Sequence, residues 1–201
     1  EGACLRRLHY RRYEGTSVPV WALTPYGRSL IAPGLPWLPA PAATDVGARF
    51  LEHTLLLNEL LLNLVLMFRR SAEAPLGTLP FRWLAEGDQV LEFRHWVLDR
   101  HAEGQGVLKP DAILEIVGRG LRVFVEAETG TQSIVTAHPE RTGAIVAKVR
   151  RYSAFLLGRT ERIEQTWYLK AFPDGLGPRL LFLVHSSDRR ERVRKAIKEA
   201  M

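Results

Sequence analysis

The chain has 201 residues, 46% hydrophobic and 25% charged, a balance that excludes a disordered tail, a collagen-like rod and a disulfide-stapled miniprotein. Its one cysteine, Cys4, can form no internal bridge and no cysteine-ligated zinc or iron–sulfur site, so a reducing cytoplasm is the expected setting. Twenty-eight basic against 22 acidic residues give a net charge of +6, and lysine stands only at 109, 148, 170, 195 and 198. The rest is arginine, whose planar donor fork suits phosphate, so a polyanionic partner is expected. The chain opens at Glu1 with no methionine and no apolar signal stretch, and reads as a fragment whose true start is missing.

Leu5–Tyr13 and Val18–Leu23 flank the turn-like run Glu14-Gly15-Thr16-Ser17 and predict a hairpin. Thr24 then offers a helix N-cap and Pro25 the first helical position, so a short helix follows. Arg6, Arg7, Arg11 and Arg12 lie in or beside the hairpin and are the candidate DNA-binding residues there, as expected of a ribbon lying along a phosphate backbone. The alternative is a basic hairpin that serves solubility alone. With Leu23-Thr24-Pro25-Tyr26-Gly27-Arg28 behind it, the hairpin resembles the wing and following helix of winged helix-turn-helix domains. Residues 1–32 are therefore expected to form a partial winged-helix module. The proline-rich run APGLPWLPAPAATD makes 33–45 a linker, and 46–201 the larger domain.

Ala48–Arg70 predicts a long helix, hydrophobic nearly all round and so a buried central one, ending on Arg69-Arg70 where the helix dipole favours cations. Its length would fit a bilayer, but Arg49, Glu52, His53, Asn58, Glu59 and Asn63 are costly in lipid, so no membrane is expected. Strands are predicted at Phe81–Glu86, Gln89–Phe93, Ala112–Val117 and Leu121–Glu128, then a helix over Glu140–Leu157. Strands Gln165–Phe172 and Arg179–His185 follow around a Pro/Gly turn, and a last helix runs Asp188–Ala200, capped by Ser186, Ser187 or Asp188. This order predicts an α/β domain with a mixed sheet flanked by helices.

If Gly118-Arg119 forms a two-residue hairpin loop of the Gly-first type, paired positions sum to 237 and Asp111 faces Glu126. The period of two then sets Glu128 on the same face. Opposed carboxylates repel, so the cluster needs protons, arginine or lysine partners, or a hard divalent cation such as Mg2+ or Mn2+. Lys148 and Tyr152, four apart on the next helix with Arg151 beside them, share a face and could meet a scissile phosphate or remain a surface charge and a core-edge phenol.

Pro110-Asp111, Glu126 in an apolar strand and a following helix with Lys148 and Tyr152 resemble the core of the PD-(D/E)XK nuclease superfamily. More narrowly, the chain resembles the plasmid replication-relaxation family, which joins a winged-helix region to such a domain. Leu23–Arg28, His53-Thr54 with Asn58, Trp83-Leu84-Ala85-Glu86, Pro110-Asp111-Ala112, Glu126–Thr131 and Lys148–Tyr152 carry the resemblance by their order. It implies Asp111 and Glu126 as metal ligands, with the Ala127 carbonyl as a third, and Glu86 as an added ligand or a salt-bridge partner. Glu128 stands where the nuclease motif carries lysine, so Lys148 would have to substitute from the helix.

The expected activity is thus Mg2+- or Mn2+-dependent hydrolysis of DNA phosphodiesters, nicking one strand or cutting both. Asp111 and Glu126 would hold the ion, Glu128 would assist it, Lys148 would stabilise the phosphate, and Arg151 and Tyr152 would contact DNA. The alternative is a catalytically silent DNA-binding regulator that keeps the nuclease-like fold as a scaffold; a regulator that senses a small molecule ranks third. A homodimer is compatible with each. His53, His95 with His101 and Asp99, and Ser186-Ser187 make no zinc or nucleophile site. No phosphate-binding loop or dinucleotide fingerprint is present, so no nucleotide cofactor is expected.

Overall fold

The computed structural model describes residues 4–11, 17–31, 33, 48–71, 79–85, 89–97, 102–129, 145–160 and 164–200. The chain divides into two compact units, Glu1–Trp83 and Leu84–Met201. The predicted linker over 33–45 lies almost wholly outside the described residues, as do Arg12 and Glu86.

In the first unit β1 (Leu5–Arg11) pairs antiparallel with β2 (Ser17–Leu23), from Leu5↔Leu23 to Arg11↔Ser17. The chain then turns into α1 (Pro25–Ile31), and Thr24 is the expected cap, its Oγ1 accepting the Gly27 N–H at 3.0 Å. The Thr24 N–H donates to the Cys4 carbonyl at 3.0 Å, which lays the helix start against the start of β1. Gly27 is required by this approach, because a Cβ there would stand 2.0 Å from the Cys4 carbonyl oxygen. Gly27→Ala is therefore expected to lower the melting temperature and to detach α1 from the hairpin. A matching loss of amide-exchange protection at Thr24 checks it, and an unchanged melt would refute the packing.

The long helix α2 (Ala48–Ser71) matches its predicted span but not its predicted burial. Leu51, Leu61 and Val65 are buried, whereas Leu62 is 58% exposed and Met67 53%. The apolar surface runs round the helix, but only one stripe of it is covered, so α2 is amphipathic in use rather than in composition. Leu51–Arg69, at mean hydropathy 1.4, is long and apolar enough to cross a membrane by length and composition.

A sheet of order β3-β6-β7-β8 consists of β3 (Arg82–Ala85), which spans the boundary between the units, and, in the second unit, β6 (Ala112–Ile116), β7 (Leu121–Glu128) and β8 (Gly177–Val184). β6 and β7 are antiparallel, β7 and β8 parallel, so the expected mixed α/β sheet is present. Its helices are α3 (Ile145–Leu157), α4 (Trp167–Ala171) and α5 (Ser187–Ala200). A separate hairpin joins β4 (Leu91–Val97) to β5 (Ala102–Leu108). β5 has no counterpart among the predicted strands. Its two glycines, Gly104 and Gly106, erase the β signal, and Gly106 lies beneath Phe93, its cross-strand partner.

The β6–β7 register sums to 237, as in Ala112↔Val125 and Ile116↔Leu121, but the turn differs from the expected one. Val117–Arg119 is a 3-10 turn closed by Gly120 at φ 60°, whose N–H donates to the Val117 carbonyl at 2.9 Å. The left-handed residue is thus the second glycine, not Gly118, and the register is the same because both turns span the same four residues.

The predicted strand Gln165–Phe172 is a helix, α4, and this corrects the expected hairpin with β8. Thr166 caps it, accepting the Leu169 N–H at 3.2 Å, and Tyr168 and Phe172, four apart, both turn inward. Helical spacing buries two aromatics where a strand would have put them beside Lys170. With α3 and α4 between them, β7 and β8 run parallel. The core on this face holds Ile113, Phe124, Tyr152, Phe155, Tyr168 and Phe172.

Candidate functional site

Alternation along β7 sends Arg122, Phe124, Glu126 and Glu128 to one face, and their partners Glu115 and Ile113 to the same face of β6. Phe124 is fully buried among aromatic rings, with a charged cluster at each end of it.

At one end, Asp111 stands just before β6, its N–H donating to the Val125 carbonyl at 3.1 Å and its Oδ2 accepting the Ala127 N–H at 2.7 Å. Glu126, 1% exposed, receives both partners predicted to share a helical face. The Lys148 ammonium donates to Oε2 at 2.5 Å and the Tyr152 hydroxyl to Oε1 at 2.6 Å. α3 can deliver both because the two residues are one turn apart and Ile145, Val149 and Phe155 anchor the helix in the core. Glu128, fully buried, accepts from Arg189 at 3.0 Å, and Arg189 sits in the first turn of α5, where Ser186 caps the helix.

Burial above all, then the charge of Asp111, pushes the Glu126 carboxyl up to about 7 against the pull of Lys148 and Tyr152. Burial works against the Lys148 charge, but Glu126, with Asp111 and Glu128, holds it above its ordinary value. Burial and the Glu126 charge push the Tyr152 hydroxyl up, so it remains a donor. Between pH 4.5 and about 7 the folded chain keeps a proton on Glu126 that the unfolded chain has released. Stability from this group therefore falls as pH rises through that window, by on the order of 3 kcal/mol. In the presence of a chelator, Glu126→Gln is expected to flatten the melting temperature between pH 5 and 7.5; an identical slope in both proteins would count against it.

At the other end, Arg122 is 2% exposed and all five of its donors are used. Two bonds go to Glu115 at 2.9 and 2.7 Å, two to Asp174 at 3.1 and 2.5 Å and one to the Tyr168 hydroxyl at 3.2 Å. Its guanidinium lies 3.8 Å from the centre of the Phe172 ring, and Tyr168 donates to the Leu176 carbonyl. Burial opposes the Arg122 charge, yet Asp174, Glu115 and Tyr168 more than offset it and hold the guanidinium above its ordinary value. The Arg122 hydrogen bond in turn holds the Asp174 carboxyl below the usual range.

The structure thus brings together Asp111, Glu126, Lys148 and Tyr152, and draws Glu128 to Arg189 instead. Tyr152, expected among the DNA contacts, is 1% exposed and presents no surface to DNA. Arg151 is half-buried, and Arg7 is exposed on β1, opposite the 61% exposed Trp21. Arg6 and Arg11 lie on β1, but their side chains are outside the described residues. Arg189 and the Arg122 network are absent from the sequence reading. The Glu115–Arg122 pair was findable, because its numbers also sum to 237; nothing local marks Arg189.

No group of three or more His, Cys, Asp or Glu able to hold a metal ion occurs among the described residues. A smaller set is compatible with Mg2+ or Mn2+, which can bind through one or two carboxylates and keep several waters. Asp111 and Glu126 are such a pair, all-oxygen donors of the kind a hard cation takes, while Glu128 is held by Arg189. Such an ion would take Glu126 Oε2 from the Lys148 ammonium.

A protein-family model described as Replication-relaxation matches residues 1–166. No curated protein and no solved structure matches the chain.

Proposed function

The chain belongs to the replication-relaxation family, which ties it to plasmid replication, and from that premise we propose that it is a cytoplasmic DNA-binding protein whose second unit hydrolyses phosphodiesters. The observation that carries the reading is the meeting of Lys148 and Tyr152 on the two oxygens of Glu126, next to Asp111. Three distant stretches of chain assemble the carboxylate pair and the lysine that such hydrolysis needs.

Asp111 and Glu126, with the Ala127 carbonyl, would hold Mg2+ or Mn2+, which supplies positive charge against the phosphate and a more acidic attacking water. Tyr152 fixes the Glu126 carboxylate by its hydrogen bond. Lys148 would neutralise a phosphate oxygen, taking the role of the motif lysine from the helix. Arg189 keeps the Glu128 carboxylate turned away from Glu126. The β1–β2 hairpin, with Arg7 and Trp21 exposed on one face, supplies the winged-helix-like contact to duplex DNA.

Calorimetry with Mg2+ and Mn2+, wild type beside Asp111→Ala, with and without duplex DNA, tests the reading. Heat of ion binding that vanishes in the variant, while duplex affinity stays within about threefold, is the expected result. The second reading is the silent DNA-binding scaffold, and the Glu128–Arg189 pair favours it, because a buried, ion-paired carboxylate in place of the motif lysine offers no charge to a phosphate. No ion binding in either protein, with DNA present or absent, would establish that reading.

A further inference from the structure

β8 ends the order of its sheet among the described residues, and α5 packs over the face that carries Leu180, Phe182 and Val184. Between them runs a groove of about 390 Å³, with Val193 and Ile197 of α5 as its wall. Its rim is a line of cations, Arg190, Arg194 and Lys198, each four residues from the next. On a helix that spacing stacks the cations about 6 Å apart along one side. Glu191 reaches Arg190 at 4.0 Å and Arg194 at 3.6 Å, but all three are well exposed, and such pairs are weak. The register pairs Val184 with Glu128 and Phe182 with Glu126, so the groove runs alongside the acidic site, one strand away.

An apolar floor with a regular row of cations on its rim fits a ligand with apolar faces and an evenly repeated anion. We propose that the groove takes a single strand of nucleic acid, its phosphates on Arg190, Arg194 and Lys198 and its base faces against Phe182. A duplex keeps its base faces stacked inside and cannot offer them to this floor, whereas an unpaired strand can. A second copy of this chain is a poor occupant through the same surface, because its own α5 would oppose like charge. The inference rests on the DNA-binding reading and adds to it a surface for one strand beside the carboxylates.

Fluorescence anisotropy of the full chain tests it with two labelled probes, an oligo-dT of about 15 nucleotides and a duplex. The variants are Arg194→Gln with Lys198→Gln, which leaves the inward Val193 and Ala196 untouched, and Phe182→Leu, which keeps an apolar side chain but removes the aromatic face. The double variant is expected to bind oligo-dT about tenfold more weakly, with a salt slope shallower by about 1.4, and the duplex with less than about threefold change. Phe182→Leu is expected to weaken oligo-dT several-fold while duplex affinity stays within about threefold, measured well below the melting temperature of the variant. Unchanged oligo-dT affinity in the double variant overturns the proposal, as does a wild type that binds the duplex alone; binding of neither probe overturns the DNA reading itself. Tighter binding of an alternating Glu-Val peptide than of oligo-dT, lost in the double variant, would assign the groove to an acidic protein segment and overturn the proposal.

Discussion

Arg122→Met is expected to lower the stability of the second unit by about 3–5 kcal/mol, the cost of removing one partner from a buried ion pair. Methionine keeps the aliphatic stem of the arginine but not the guanidinium stacked on Phe172, so the loss comes mainly from the partners that the guanidinium leaves behind. Glu115, 7% exposed, would lose both its Arg122 bonds in a place where water cannot replace them. Asp174 suffers less, being 46% exposed. The check is a double-mutant cycle in chemical denaturation. Glu115→Leu added to Arg122→Met should recover much of the loss, because the buried anion is then gone. If the double variant were as unstable as the sum of the two singles, the cost would lie in packing and the electrostatic account would fail.

Lys148→Met is expected to reduce phosphodiester cleavage by about 10²- to 10³-fold, the usual cost of removing one preorganised charge from a transition state, while ion and duplex binding persist. The variant also leaves Glu126 without its cation, so the carboxyl is pushed further up and holds its proton to higher pH. That gives the lysine a signature separate from the rate: the pH at which Mn2+ binding begins should rise. Lys148→Arg keeps the charge and is expected to restore the onset of binding near the wild-type pH, though not the full rate, since a guanidinium is a planar fork and not a point charge. Cleavage unaffected by Lys148→Met would refute the role given to this residue.

Much of this arrangement was legible from the chain. The register of β6 and β7 follows from counting across the turn, and it places Asp111 against Glu126 although the turn itself takes another form. The i, i+4 spacing of Lys148 and Tyr152 predicts a shared face, and only the fold shows that the face looks onto Glu126. What escaped depends on contacts that no local pattern carries. Thr166–Phe172 has the β-branched and aromatic content of a strand, and a capping threonine with two inward aromatics four apart makes it a helix. The apolar composition of α2 does not reveal which stripe is covered, and Arg189 meets Glu128 across 61 positions of sequence.

The fully buried Phe124 stands two residues from Arg122 and two from Glu126 on the same face of β7. Four residues of extended chain set the two charged clusters about 13 Å apart, beyond the range at which substitutions usually interact, with an aromatic wall between. The free-energy effects of changes at Arg122 and at Lys148 should therefore simply add. A variant library could then harden or soften the domain from the Arg122 end, raising or lowering its tolerance of heat, without resetting the proton affinity of Glu126, and the two properties could drift separately from one relative to the next.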